Sequence, residues 1–100
     1  MLDNIAEKIP NVYKALVNLN EETMKVGKLN KKTKELIAIA LSVAVRCEPC
    51  IKRHAENALK LSASKEEIAE VIGVATMMLG LPAYSWSRDA LTELLKTNNN

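Results

Sequence analysis

Two long apolar segments constrain the fold of this chain more than any other feature. Residues 36–45 read LIAIALSVAV and residues 71–80 read VIGVATMMLG, and neither alternates apolar with polar residues as an exposed strand does. As helices, both would be apolar on every face, so each needs cover on all sides. A chain of 100 residues has few other helices to supply that cover. The segments therefore predict a helical protein that forms oligomers, the alternative being that they are the centre of a monomeric bundle.

Helix start signals recur along the first half of the chain. Pro10 suits the first turn of a helix that ends near Gly27, and either Asn30 or Thr33 can open the next helix. Pro49 is tolerated only in a first turn, so it divides that helix from a third one over residues 48–61.

The second half of the chain also contains helix start and end signals. Ser64 and Glu67 have the spacing of a capping box and open a helix that ends near Gly80. Pro82 begins a final helix through Leu95, and the tail over residues 97–100 should fray. The fold class predicted is therefore all-α, with five or six helices and short loops. Three methionines are expected to fill the core: Met24, Met77 and Met78.

Charge and hydropathy exclude several classes of partner. The chain has 14 Lys and Arg against 12 Asp and Glu, a formal net charge of +2, unlike the strongly basic face of a nucleic-acid-binding domain. The N-terminal stretch MLDNIAEKIPNVYKAL lacks the uninterrupted apolar core of a secretory signal. No apolar run reaches the roughly 18 to 20 residues that span a bilayer. We therefore expect a cytoplasmic protein with no nucleic acid and no membrane as partner.

Both cysteines and the only histidine lie close together, at Cys47, Cys50 and His54. A permanent disulfide is disfavoured in a reducing cytoplasm, so this spacing favours transient redox chemistry or metal binding. Pro49 places both thiols in the opening turn of a helix. The free N–H groups and the positive dipole end there stabilise a thiolate.

Helix geometry distinguishes the two thiols. Cys50 and His54 are one turn apart, with Cβ atoms ~5 to 6 Å apart, whereas Cys47 is two turns, ~10 Å, from the histidine. The dipole favours Cys47, which is nearer the helix end. A base, however, acts on one specific thiol. We therefore predict Cys50 as the attacking thiolate and Cys47 as the resolving partner.

Glu35 stands at the start of an otherwise apolar helix, one helix before the cysteines. If the two helices fold back on each other, Glu35 can reach His54, fix its tautomer and complete a Glu–His–Cys relay. The alternative is that Glu35 faces water and is favoured in a first turn by the helix dipole.

Two other functions fit the same residues. Cys47, Cys50 and His54 could ligate tetrahedral zinc, with Glu35 or a residue of another subunit as the fourth ligand. Three ligands from one helix turn would be an unusual site. In the third reading the protein is a non-catalytic oligomer whose cysteines are small buried hydrophobes.

Together, Glu35, Cys47, Cys50 and His54 form the pattern E-x11-C-x-x-C-x3-H. This pattern resembles the signature of the AhpD-like alkylhydroperoxidase and carboxymuconolactone decarboxylase family, as a short single-repeat member. Most of residues 31–80 resembles the core helical repeat of that family, and we expect a single such domain over residues 1–100. The resemblance implies an all-α fold and a homotrimer or homohexamer. We expect no cofactor and no metal.

The resemblance also implies roles. Cys50 would attack a hydroperoxide or disulfide substrate, Cys47 would resolve the adduct, and Glu35 with His54 would relay protons. A dithiol or thioredoxin-like reductant would restore the pair. Pro49 departs from the family pattern, because peroxidase members carry a histidine immediately before the second cysteine. The absence of that histidine weakens the prediction of peroxidase activity more than that of thiol–disulfide exchange. Decarboxylase-type activity is a weaker alternative, since those members generally lack the cysteine pair.

Overall fold

The computed structural model describes residues 3–96, which contain six helices and no strand. The helices are α1 (Asn4–Lys8), α2 (Pro10–Met24), α3 (Lys31–Val45), α4 (Glu48–Lys60), α5 (Lys65–Leu79) and α6 (Leu81–Leu91). The predicted all-α fold class is confirmed. The short α1 was not predicted; Asp3 caps it by accepting a 2.7 Å hydrogen bond from the Ala6 N–H. Ile9 leaves the helical conformation because it precedes a proline, and this separates α1 from α2.

The predicted starts of α3 and α5 are confirmed by their caps. Of the two candidates for α3, Asn30 is the N-cap, and its side chain accepts a 2.8 Å hydrogen bond from the Thr33 N–H. Ser64 and Glu67 form the predicted capping box. The Ser64 hydroxyl accepts a 2.9 Å hydrogen bond from the Glu67 N–H, and the Glu67 carboxylate accepts a 2.8 Å hydrogen bond from the Ser64 N–H. These local hydrogen bonds fix where α3 and α5 begin.

Helix α2 ends earlier than predicted, at Met24 rather than near Gly27. The Lys34 ammonium group on α3 donates 2.7 Å hydrogen bonds to the carbonyl oxygens of Thr23 and Lys25. These carbonyls lie at the end of the helix, where they have no intrahelical donor. A lysine on the next helix thus satisfies the carbonyls that a longer helix would have used itself.

Helix α6 also differs from its prediction at both ends. It begins at Leu81, one residue before Pro82, after Gly80 turns the chain with a φ of 96°. It ends at Leu91, short of Leu95, and the residues between form turns. The Thr92 hydroxyl donates a 2.6 Å hydrogen bond back to the Arg88 carbonyl, a bond that bends and weakens a helix. The tail predicted to fray, residues 97–100, lies outside the described residues.

One hydrophobic core joins α3, α4, α5 and α6. Its largest fully buried apolar side chains come from all four helices: Ile39, Val43, Ile51, Ile68 and Leu91. Helix α3 packs against each of the other three, so it is the central element. Because α4 follows α3 after a tight turn and packs along it, the start of α3 lies beside the middle of α4.

Other apolar surface stays uncovered. Helix α2 buries none of its residues. On α3, Leu41 and Val45 are 62% and 72% exposed, and on α5, Met77 and Met78 are 74% and 72% exposed. The prediction that these two methionines fill the core is therefore wrong for the single chain; Met24 is half-buried. No helix within residues 3–96 combines the length and apolarity needed to cross a bilayer.

Candidate functional site

The turn between α3 and α4 delivers the two cysteines. The Arg46 N–H donates to the Val43 carbonyl at 3.2 Å and the Cys47 N–H donates to the Ser42 carbonyl at 3.1 Å, the bonding pattern of a Schellman motif. Arg46 takes the left-handed position with a φ of 56°, where glycine is usual. Its guanidinium lies 5.9 Å from the centre of the Trp86 ring, so a cation–π contact holds this turn against α6.

Cys47 is the N-cap of α4, and Cys50 lies in the first turn. The sulfur of Cys47 accepts a 3.3 Å hydrogen bond from the Cys50 N–H, one of the N–H groups that has no partner inside the helix. Pro49 occupies the first turn, as predicted. Both cysteines are half-buried, and their sulfurs are joined in a disulfide with the Cα atoms 5.2 Å apart. Neither cysteine is an inert, fully buried hydrophobe.

The predicted contact between Glu35 and His54 is present. The Glu35 Oε1 and His54 Nδ1 atoms lie 2.6 Å apart, and the two side chains are 9% and 14% exposed. An ionised carboxylate can only accept hydrogen bonds, so the Nδ1 atom carries the hydrogen that Glu35 accepts. The other ring nitrogen, Nε2, is then the one left to accept a hydrogen. The alternative that Glu35 faces water is excluded by its burial.

Asn57 completes the surroundings of the carboxylate and was missed by the sequence analysis. Its Nδ2 atom donates a 3.3 Å hydrogen bond to the Glu35 Oε2 atom. Both carboxylate oxygens therefore have a donor. The signal was present in the sequence, since Asn57 lies three residues after His54 and so on the same side of α4.

The cysteine side of the site is less connected. Within residues 3–96, the hydrogen bond of the His54 ring runs to Glu35, and none joins the ring to a sulfur. A disulfide sulfur carries no proton, so only the reduced pair offers His54 a proton to exchange. On α4, Cys50 and His54 are one turn apart, with Cβ atoms ~5 to 6 Å apart.

Charged residues neighbour the two cysteines along the chain. Glu48, the one acid of the first turn of α4, forms a 2.8 Å ion pair with Lys52. The acid that could oppose a thiolate in this turn thus has a cationic partner of its own.

A metal site has no support in this geometry. The two sulfurs are bonded to each other. In the part of the chain that the structure describes, no group of three or more His, Cys, Asp or Glu side chains is arranged to hold a metal ion.

A cavity of about 310 Å³ lies on the other side of Glu35. It is lined by residues at the end of α2 and the start of α3, together with the residue after α4: Glu21, Met24, Lys25, Lys31, Glu35 and Leu61. At this cavity the end of α2 lies next to Glu35. Glu35 is thus buried from bulk solvent but not enclosed by side chains on every side.

Comparisons with known proteins match most of the chain. The sequence pattern of the carboxymuconolactone decarboxylase family matches residues 10–93. An uncharacterised protein of Methanocaldococcus jannaschii is 38% identical over 92 residues, which cover 90% of this chain and 88% of that protein.

Two solved structures share the fold. The apo form of a carboxymuconolactone decarboxylase family protein from Legionella pneumophila is 37% identical, with a TM-score of 0.82 over 92% of this chain and 84% of that chain. A carboxymuconolactone decarboxylase family protein from Thermotoga maritima is 34% identical, with a TM-score of 0.75 over 81% of this chain and 69% of that chain. The fold, the matched length and the identities agree, and this chain belongs to the carboxymuconolactone decarboxylase family.

Proposed function

We propose that this chain is a thiol-dependent oxidoreductase with Cys50 as the attacking thiolate, Cys47 as the resolving thiol, and Glu35 and His54 as the proton relay. One observation supports the proposal: a disulfide-bonded cysteine pair lies at a helix start, and its second cysteine is one turn from an imidazole that is hydrogen-bonded to a buried carboxylate. A redox reaction needs the pair, and proton transfer to and from the sulfur needs the imidazole.

With a disulfide substrate, the reaction takes two exchanges. His54 Nε2 first takes the proton of the Cys50 thiol. The Cys50 thiolate then attacks one sulfur of the substrate, forming a mixed disulfide and releasing the other sulfur as a thiolate, which takes that proton back from His54 Nε2. Cys47 next loses its proton and attacks the Cys50 sulfur, which closes the Cys47–Cys50 disulfide and releases the second substrate sulfur, and this sulfur takes up the Cys47 proton. The substrate gains two electrons and two protons, and the enzyme dithiol loses them.

With a hydroperoxide, the first step differs. The Cys50 thiolate attacks the terminal oxygen, the O–O bond breaks, and the leaving alkoxide takes a proton, giving an alcohol and Cys50 sulfenic acid. Attack by Cys47 then forms the disulfide and releases water. This leaving group is more basic than a thiolate and depends more on a positioned acid. Pro49 offers no such acid, so we propose disulfides as the better substrates.

One relative supports a redox role. The name of the Thermotoga maritima protein gives it a possible involvement in an antioxidative response. A thiol oxidoreductase accounts for such a role without further assumptions. The family name refers to a decarboxylase, but the disulfide-bonded cysteine pair supports redox chemistry, and we therefore propose redox activity first.

The proposal requires a reductant and a reducing environment. A small dithiol or a thioredoxin-like protein would attack the Cys47–Cys50 disulfide and return it to the dithiol, which we expect to occur in the cytoplasm.

We further propose that the protein works as a homotrimer or homohexamer. The support is the uncovered apolar surface of α2, α3 and α5, which a chain of this size does not normally leave exposed to water. Sedimentation-equilibrium ultracentrifugation should give a mass three or six times the 11.0 kDa of one chain. A monomer at micromolar concentration would contradict this part of the proposal.

The function is tested by steady-state assays with a small-molecule disulfide and an alkyl hydroperoxide in parallel, with a dithiol as reductant. Wild-type protein should turn over the disulfide faster than the peroxide. Conversion of Cys50 to serine should remove both activities, and a rate unchanged by that substitution would refute the proposal.

A further inference from the structure

We infer that Asn57 is a positioning residue for the proton relay, acting on His54 through Glu35. The expected change in reaction rate rests on the proposed function, whereas the expected change in the His54 tautomer does not. The inference starts from the two hydrogen bonds of the Glu35 carboxylate. The Oε1 atom accepts one from His54 Nδ1, and the Oε2 atom accepts the other from Asn57 Nδ2.

The carboxylate needs both donors because it is buried. A buried oxygen without a hydrogen-bond donor loses its bound water and gains no hydrogen bond to replace it. The free-energy cost is larger for a charged group than for a neutral one. Glu35 is 7% exposed, so the Asn57 amide takes the place of water that its second oxygen would otherwise bind. The amide and the imidazole together leave neither carboxylate oxygen without a donor.

The same bond fixes orientation. The last torsion of a glutamate side chain is broad, so one hydrogen bond alone leaves the carboxylate free to rock about its axis. Two donors on the same helix, three residues apart, hold its two oxygens at two points of α4. Oε1 is then directed at Nδ1, the hydrogen stays on Nδ1, and Nε2 is left for proton exchange on the cysteine side.

Asn57 meets neither the sulfurs nor a substrate in this arrangement, so its effect passes through two other side chains. Residues of this kind around a functional imidazole determine its tautomer and ring orientation, and their loss weakens function without removing a reacting group. The predicted signature is therefore a change in the histidine tautomer together with a partial loss of rate.

The chain allows a clean measurement, because His54 is its only histidine. In protein without an affinity tag, the imidazole ¹⁵N shifts belong to one ring and report which nitrogen carries the hydrogen. For the reduced wild type at a pH where the ring is neutral, we expect the Nδ1-protonated tautomer to predominate.

Two substitutions remove the donor in different ways. Asn57→Leu keeps the approximate size without a polar atom, and Asn57→Val removes the donor with a smaller apolar side chain. Both should shift the ring toward a mixture of tautomers and slow thiol–disulfide exchange by roughly tenfold, the size expected for one hydrogen bond to a charged acceptor. If the leucine variant folds poorly, the valine variant still gives the result.

Glu56→Leu is the matched control, since Glu56 is the preceding residue of α4 and is exposed. It should leave the tautomer and the rate unchanged. An unchanged tautomer in both Asn57 variants would overturn the inference. Failure of the proposed function is distinguishable: wild-type protein would then lack thiol-dependent turnover, while the tautomer measurement would still decide the role of Asn57.

Discussion

Cys47 and Cys50 lie in the same turn of the molecule and are bonded to each other, yet different groups act on them. Cys47 is the N-cap, and its sulfur accepts the Cys50 N–H at 3.3 Å. Cys50 is inside the helix, one turn before an imidazole that is tied to Glu35 at 2.6 Å. The backbone thus favours charge at Cys47, and we propose that the relay serves Cys50. A helix end stabilises a charge but moves no proton, and for this reason we assign attack to Cys50 and resolution to Cys47.

Removal of Cys50 should have the greatest effect. Cys50→Ser is expected to reduce turnover by roughly a thousandfold or more, because the attacking sulfur is lost. Cys47→Ser should lose turnover as well but keep the first exchange, visible as a single burst of released thiol. Stopped-flow detection of that thiol separates the two variants. Equal bursts from both variants would mean that the two positions are interchangeable.

Glu35→Gln tests the relay that distinguishes Cys50. The amide keeps the size of the side chain but carries no charge to hold the hydrogen on His54 Nδ1, so the first exchange should slow by roughly a hundredfold. The exposed acid Glu66, replaced in the same way, provides a control on an unrelated helix. Single-turnover kinetics measure both, and a loss below twofold for Glu35→Gln would remove the relay from the mechanism.

Pro49→His tests the residue between the two thiols. A histidine there would supply an acid beside Cys50, and peroxide turnover should rise by about tenfold relative to disulfide turnover. Helix α4 should survive, because a first-turn proline is favourable but not required. Parallel assays with both substrates give the ratio, and an unchanged ratio would show that Pro49 does not limit peroxide reduction.

A smaller effect is expected at Glu67, which joins α5 to the start of α3 through an ion pair with Lys32. The Ser64 backbone N–H and the Lys32 ammonium hold the pKa of the Glu67 carboxyl below its usual value. A lowered folded-state pKa stabilises the fold above the usual glutamate range, and this stabilisation is lost as the pH falls through the lowered pKa. In thermal melts, the melting temperature of Glu67→Gln should fall less steeply with decreasing pH than that of the wild type. Identical profiles for variant and wild type would contradict this.

The sequence predicted best what depends on neighbouring residues. Asn30, Ser64 and Pro49 mark helix starts through bonds and steric limits within one turn, so their effects can be inferred without knowing the packing. The Glu35–His54 contact needed one further assumption, that α3 and α4 fold back on each other, and the structure confirms that contact.

The remaining features depend on packing between distant segments. The early end of α2 follows from Lys34 reaching back to two carbonyls, and helix patterns do not indicate this. Asn57 was detectable by spacing but had no visible partner until Glu35 was placed beside it. Met77 and Met78 are apolar residues typical of a core, yet both are exposed. The residue type alone does not reveal whether the atoms that bury it belong to the same chain.

The assignment of the two thiols is tested most directly by trapping the first intermediate. Reduced Cys47→Ser and Cys50→Ser proteins are each mixed with a small-molecule disulfide, quenched with acid at successive times, and analysed by mass spectrometry. We predict that Cys50 in the Cys47→Ser protein forms the mixed disulfide at least about tenfold faster than Cys47 in the Cys50→Ser protein. Faster modification of Cys47 would contradict the assignment and would mean that the helix cap, rather than the Glu35–His54 relay, selects the nucleophile.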